Sequence, residues 1–327
     1  MNPLLCTIPI LLFSILLSVT FASTARTVPP IIQSFADIYE PSGVIQIDPN
    51  TVFIVEDEGD RPLIRAAIAE KKNGNGLTLI PDRLTQLPVK VDDLEAVTIG
   101  KDSKIFLITS HTAKKNGKNK KKRQRLLQLT LKNNTISSLT HTDSLLKDIR
   151  HYLQKSSPLN QIALAAINIE GLTFDPLQKN LLIGLRAPLR NKKSIILTLK
   201  NPYDLEKDEQ PVFADTPILL DMQGSGIRAM AYDHSLNIYI LAGEIKNKKG
   251  KPRSRLWAWD GTSDNQPAKI RLPKLKGIKN IEGITPIHFK GSNYLLLVCD
   301  DGNKGENKGA HYIIFNSKNL RTGSDKR

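Results

Sequence analysis

Five times along this chain a charged residue announces a short apolar run, and the distance from one to the next hardly varies. The five are Glu40, Glu95, Glu170, Arg228 and Glu282. They stand in Tyr39-Glu40-Pro41-Ser42, Leu94-Glu95-Ala96-Val97, Ile169-Glu170-Gly171-Leu172, Ile227-Arg228-Ala229-Met230 and Ile281-Glu282-Gly283-Ile284. The intervals are 55 (40 to 95), 75 (95 to 170), 58 (170 to 228) and 54 (228 to 282) residues. Self-similarity at a fixed period marks a repeat architecture, and a period in the fifties suits a four-stranded propeller blade. The long interval holds two insertions. One is lysine-rich, at 114–125; the other, at 143–153 (DSLLKDIRHYL), has an Asp cap and apolar residues at helical spacing.

Each anchor leads through a first strand to a second, at 52–55, 105–109, 181–185, 238–241 and 294–298. Third strands follow at 63–68, 126–131, 194–199, 255–259 and 311–315. Fourth strands read at 77–80, 135–139, 217–221 and 269–272, and the last repeat runs out before its own. The extended run 28–35 is free to complete that final blade and close the ring, because a closed ring removes exposed sheet edges. Turn formers such as Asp175-Pro176 and Asp260-Gly261 separate the strands. The expected fold is therefore all-β: a β-propeller of four-stranded blades, five in number, or six if one repeat has decayed. Short strands also build sandwiches, but a sandwich needs no charged anchor at near-constant period.

Residues 4–21 are almost wholly apolar, and no Asp, Glu, Lys or Arg occurs before Arg26. Small residues follow at 22–25. The expected domains are a signal peptide at 1–25, cut after Ala25, one propeller at 26–319, and a disordered tail at 320–327. An uncleaved anchor is the alternative, since 18 residues just reach across a bilayer. With the signal cleaved, the protein is expected to be secreted or periplasmic, without a transmembrane span and monomeric. Only Cys299 then remains. No intramolecular disulfide can form, so stability must come from the core. Cys299 lies in an apolar run and reads as a buried structural thiol.

Antiparallel order within a blade puts the residue before the first strand and the residues after the second on one face, near the axis. Glu40, Glu95, Glu170, Arg228 and Glu282 should meet there with Glu56-Asp57-Glu58, Ser110-His111, Arg186, Gly243-Glu244 and Asp300-Asp301. Glu95, Glu170, Glu282 and Asp300 form the set that would hold a hard cation such as Ca²⁺, or share a proton as acid and base. Equally, each repeated Glu could accept bonds from backbone N–H groups of the next blade and lock the ring. The residues that break the repeat, Arg228, His111 and Arg186, are where an anionic group of a ligand would sit. Ser110-His111 is no hydrolase dyad, because neighbours on a strand point to opposite sides.

The connections between second and third strands share this face and are basic, at 114–125 (KKNGKNKKKRQR), 190–193 (RNKK) and 246–255 (KNKKGKPRSR). The chain carries 47 Lys+Arg against 32 Asp+Glu, a net +15. Such a field attracts anions and weakens in salt. The partner expected is an anionic small molecule or envelope polymer; after export, nucleic acid is a poor fit. No P-loop, dinucleotide fingerprint, H-E-x-x-H, G-x-S-x-G or CxxC is present, so none of those chemistries is indicated. Three functions fit: binding of an anionic ligand, metal-assisted hydrolysis of a (phospho)ester by channel carboxylates, and an inert interaction scaffold. Whether the chain is an enzyme stays open.

The stretches 93–111 (DLEAVTIGKDSKIFLITSH), 169–188 (IEGLTFDPLQKNLLIGLRAP) and 280–285 (NIEGIT) resemble the bacterial proteins classed as domain of unknown function 3616. The resemblance implies a secreted or periplasmic β-propeller of unestablished activity. Through its "EG(L/I)" openings alone the chain is also distantly similar to phytase-like and esterase-like propellers. That likeness implies channel carboxylates but transfers no catalytic residue. The lysine insert departs from the family pattern.

Overall fold

The computed structural model describes residues 30–57, 63–74, 76–113, 120–132, 135–156, 166–207, 209–271 and 278–322. The apolar N-terminal run, positions 114–119 of the lysine insert and the last five residues lie outside that set. The described chain forms five antiparallel sheets. Blade 1 is β2 (Pro41–Asp48), β3 (Thr51–Glu56), β4 (Leu63–Glu70) and β5 (Leu77–Thr85). Blade 2 is β6 (Leu94–Ile99), β7 (Ile105–Thr109), β8 (Leu126–Lys132) and β9 (Thr135–Thr142). Blade 3 is β10 (Asn168–Asp175), β11 (Asn180–Ala187), β12 (Ser194–Leu199) and β13 (Ile218–Leu220). Blade 4 is β14 (Ala229–Asp233), β15 (Ile238–Lys246), β16 (Pro252–Trp259) and β17 (Ala268–Arg271). Blade 5 is β18 (Ile281–Phe289), β19 (Ser292–Cys299), β20 (His311–Asn316) and, as its outermost strand, β1 (Ile32–Ser34).

The protein is thus a five-bladed β-propeller. The innermost strands touch in the cycle β2, β6, β10, β14, β18 and back to β2, which closes the ring. Its chain closure is the one the sequence suggests: Ile32 pairs with Ile313 and Ser34 with His311. Five apolar clusters hold the blades together, one in each seam between neighbours. This explains why the second and third strands read as unbroken apolar runs. Packed between two sheets, they are covered on both faces, and every residue of β7 and β12 is buried.

Helix α1 (Leu145–Lys155) fills the 2–3 connection and buries Leu145, Leu146, Ile149 and Leu153 in the adjoining seam. Its start differs from the expected Asp cap. Ser144 holds the N-cap position, while Asp143 turns to Arg125 and His141, at 3.0 and 3.2 Å. The chain end differs too: β21 (Arg321–Thr322) pairs with β17, so order extends past Asn319. Trp257 and Trp259 sit in the seam between blades 3 and 4. Cys299 is buried, and burial pushes its thiol pKa up, away from any thiolate role. Among the described residues no helix is long and apolar enough to cross a membrane.

Candidate active site at the channel mouth

The site is built by one local irregularity repeated around the ring. β2, β6, β10 and β18 each carry a register shift at their second or third residue: between Pro41 and Gly43, Leu94 and Ala96, Ile169 and Gly171, and Ile281 and Gly283. A bulged residue leaves the ladder and its side chain is re-aimed. The bulged residues are Ser42, Glu95, Glu170 and Glu282. In blade 4 Arg228 takes this place, its N–H donating to Ala242 O at 2.9 Å. The counterpart in blade 1 is therefore Ser42, not Glu40. The Ser42 hydroxyl donates to Leu94 O of the next blade.

The residue after the bulge lies where inner strands converge. A Cβ on Gly283 would come within 2.4 Å of Val298 Cγ2 and 3.1 Å of the Gly43 backbone, and one on Gly171 within 2.7 Å of Ile227 Cγ2. The repeated Glu-Gly pair thus divides its labour: the Glu faces the axis and the Gly lets the blades close.

The mouth is a cavity of ≈ 860 Å³. Its wall includes the expected Asp57, Glu95, Glu170, Arg186, Arg228, Glu244, Glu282 and Asp300, together with Asp93, Arg123, Asn168 and Asn280. Seven carboxylates thereby face three guanidiniums. Glu170 is the hub. It accepts from Asn168 Nδ2 at 3.2 Å and from Arg186 Nη1, and its Oε2 lies 3.6 Å from Arg228 Nε. Arg228 Nη2 bonds Glu282. The partners of Glu170 and Glu282 are side chains, so the expected locking through backbone N–H groups is not what fixes them.

Glu95 differs in kind. It is 7% exposed and has no ion-pair partner among the described residues. Burial raises its pKa well above the usual carboxylate range, and the charges of Glu170, Asp93 and Asp57 raise it further. Burial also raises Glu170, but Arg228 and Arg186 pull it back. Both carboxyls on this wall are thus raised; they differ in that Glu170 has two arginines to offset its burial and Glu95 has no ion-pair partner among the described residues.

Asp93 has a left-handed backbone, φ 67°, and accepts from Ser110 Oγ, from Thr112 Oγ1 at 3.1 Å and from Arg123 Nη2 at 2.7 Å. Arg123 spends its other edges on Asp92 at 3.3 Å and Thr112 at 3.1 Å. Of the three arginines, Arg186 is the one with its side chain substantially open, 45% exposed, so its remaining donors face the cavity. The backbone beside it is tightly met: a Cβ on Gly226 would fall 1.9 Å from Arg186 O.

His111 is not in this wall. It is buried with φ 60°, its Nδ1 lies 2.6 Å from Thr109 O, and its Nε2 is buried without a partner. Burial lowers its pKa to about 4, so it is neutral near pH 7. Asp301 is a turn residue, accepting from His311 N and Nδ1 at 2.9 and 2.7 Å.

The calcium set does not fit as a set. Among the described residues no group of three or more His, Cys, Asp or Glu is arranged to hold a metal ion. The cation between Glu170 and Glu282 is the Arg228 guanidinium. Asp93, Asn168 and Asn280 did have a sequence signal: each stands two before a bulged Glu, in Asp93-Leu94-Glu95, Asn168-Ile169-Glu170 and Asn280-Ile281-Glu282. Arg123 had none, because its partners come from another connection.

Among solved structures the chain is similar to a β-xylosidase (TM-score 0.50, 11% identity, covering 88% of this chain and 94% of that one). It is also similar to a Bombyx mori GH32 β-fructofuranosidase (TM-score 0.50, 10% identity, covering 90% of this chain and 62% of that one). At such identity the likeness shows the shared propeller fold alone. No curated protein matches the chain. The model of the family described as "Protein of unknown function (DUF3616)" matches residues 91–315, and the chain belongs to that family.

Proposed function

We propose that the channel mouth is the reaction site of a hydrolase acting on a hydroxyl-rich molecule that carries an anionic group, with Glu95 as proton donor. The observation that carries the reading is the contrast between Glu95, buried in the wall with no ion-pair partner among the described residues and its pKa raised by burial, and Glu170, clamped by Arg186 and Arg228. A neutral carboxylic acid inside a cavity is suited to protonating a leaving oxygen. Cleavage of a C–O bond would pass the Glu95 proton to the departing oxygen, and the attacking water would return one. Glu170 would stabilise positive charge developing on the carbon side.

Seven carboxylates in the wall favour a ligand rich in hydroxyl donors and oppose one that is wholly anionic. A single anionic group has a partner in the open face of Arg186. Binding without catalysis would leave the raised pKa of Glu95 without a use. An inert scaffold is disfavoured by the volume, ≈ 860 Å³, which is of ligand-pocket size. The neighbours' names bear only on the fold, so the reading rests on the pocket. Secretion through residues 1–25 remains part of the proposal.

The test combines two measurements. Infrared difference spectroscopy of wild type against Glu95→Gln should show a protonated carboxyl band at pH 7. A panel of chromogenic glycosides, uronides and lactones should contain a substrate whose turnover falls about 10²–10⁴-fold in Glu95→Gln. An ionised Glu95 at pH 7, or a Glu95→Gln variant with wild-type turnover, would overturn the assignment.

A further inference from the structure

The hairpin of β15 and β16 is longer than those of blades 3 and 5. In blades 3 and 5 the ladder between second and third strands stops at Gly184–Ile196 and Val298–Tyr312. In blade 4 the pair at the same level is Ala242–Leu256, since Ala242 faces Ala229 as Gly184 faces Gly171. The ladder then continues through Gly243–Arg255, Glu244–Ser254, Ile245–Arg253 and Lys246–Pro252. Four further pairs carry the hairpin roughly 13 Å beyond the sheet.

The extension stands at the mouth, because Glu244 and Pro252 on its two strands belong to the cavity wall. Its tip is an ordered turn. Asn247 Oδ1 accepts from Lys249 N at 2.8 Å and Lys251 N at 3.1 Å, and Gly250 supplies the left-handed step, φ 73°. Lys246, Lys248, Lys249 and Lys251 are exposed, and among the described residues none has an ion-pair partner. Arg253 and Arg255 follow on the return strand. The arm is therefore a rigid row of positive charge rooted in the wall of a carboxylate-lined cavity. The exposed lysines do not explain the pocket's chemistry, and the pocket does not need the arm.

We infer that this arm captures an acidic polysaccharide, a uronate-bearing chain, and holds it so that a chain end reaches the mouth. The inference rests on the reading of the mouth as a site for a hydroxyl-rich substrate with an anionic group, and it names that substrate as polymeric. Spaced ammonium groups suit carboxylates spaced along a sugar chain. Nucleic acid would call for aromatic stacking surfaces, and residues 246–255 contain no aromatic residue. A membrane-binding arm would carry an apolar tip, and this one is Asn-Lys-Lys-Gly.

The test measures binding of the full chain to immobilised polygalacturonate across a salt series, for wild type and for the combined Lys246→Gln, Lys248→Gln, Lys249→Gln and Lys251→Gln variant. Neutral dextran, single-stranded DNA and anionic lipid vesicles serve as comparison ligands. The variant should bind polygalacturonate at least about tenfold more weakly at low salt, with a shallower salt dependence. Unchanged affinity and slope would overturn the inference, as would tighter binding of the wild type to DNA or vesicles than to polygalacturonate. Glu95→Gln should capture the polymer as wild type does. Loss of turnover with intact capture would then separate failure of the arm from failure of the pocket.

Discussion

The Arg228 guanidinium lies between two buried carboxylates of neighbouring blades, its Nε 3.6 Å from Glu170 Oε2 and its Nη2 bonded to Glu282. Blade 4 thus supplies a cation where three other blades supply Glu and one supplies Ser42. Removing one partner of a buried ion pair leaves a charge in low dielectric. Arg228→Met should lower unfolding free energy by about 3–5 kcal/mol, measured by urea titration. Adding Glu170→Gln and Glu282→Gln should recover much of that loss. A triple variant no more stable than the single one would show that the charges are not the cause.

Glu95 makes stability fall as pH rises. Its folded pKa is raised, so below the ordinary carboxylate pKa of about 4.3 both states hold the proton and nothing is lost. Above that, the unfolded chain releases the proton while the folded one keeps it, and stability declines up to the folded pKa. Glu95→Gln should match wild type near pH 4 and exceed it at pH 7–8 in thermal melts. Parallel curves across that range would remove the basis for a neutral Glu95.

His111 acts in the opposite direction. Its folded pKa is about 4 against about 6.5 unfolded, so acidification protonates the unfolded chain first. Stability should drop by about 3 kcal/mol between pH 6.5 and 4, the product of that difference and 1.36 kcal/mol per unit. His111→Asn, which tolerates the left-handed backbone at φ 60°, should flatten this limb of the profile. Urea denaturation at several pH values measures it.

The tight seam at Gly283 gives a prediction independent of charge. Its added Cβ would meet Val298 Cγ2 at 2.4 Å and the Gly43 backbone at 3.1 Å. Gly283→Ala should cost about 1–3 kcal/mol, read from the urea midpoint. Gly74→Ala, with open space around its Cβ but φ 72°, should cost less and through backbone strain alone.

Most of the fold was legible because a propeller writes its period into the chain. The anchors at Glu95, Glu170, Arg228 and Glu282 marked inner strands, and the missing fourth strand of blade 5 pointed to the N-terminal run. Blade 1 misled because charge was followed in place of register. Glu40 is acidic, but the bulge falls at Ser42, and no side-chain chemistry announces a bulge. His111 misled because a left-handed residue after β7 turns its ring inward. Asp143 looked like a helix cap, yet Arg125, eighteen residues back in the hairpin, and His141, two residues back in β9, hold it elsewhere. Arg123 was read as one more basic loop residue, since its bonds to Asp92 and Asp93 exist only once the connections meet.

The pairing of β1 with β20 also sets an order in time. Ile32 and Ile313 are register partners. Blades 1, 2 and 3, and the four main strands of blade 4, are made of strands close in sequence and can assemble as they leave the ribosome. Blade 5 must wait, its first-made strand idle until almost the last has emerged. Closing so long a loop costs roughly 5 kcal/mol of chain entropy, growing only with the logarithm of its length. Ring closure is therefore the late and slow event, and until it happens the seam between blades 5 and 1 stays open to any strand that reaches it.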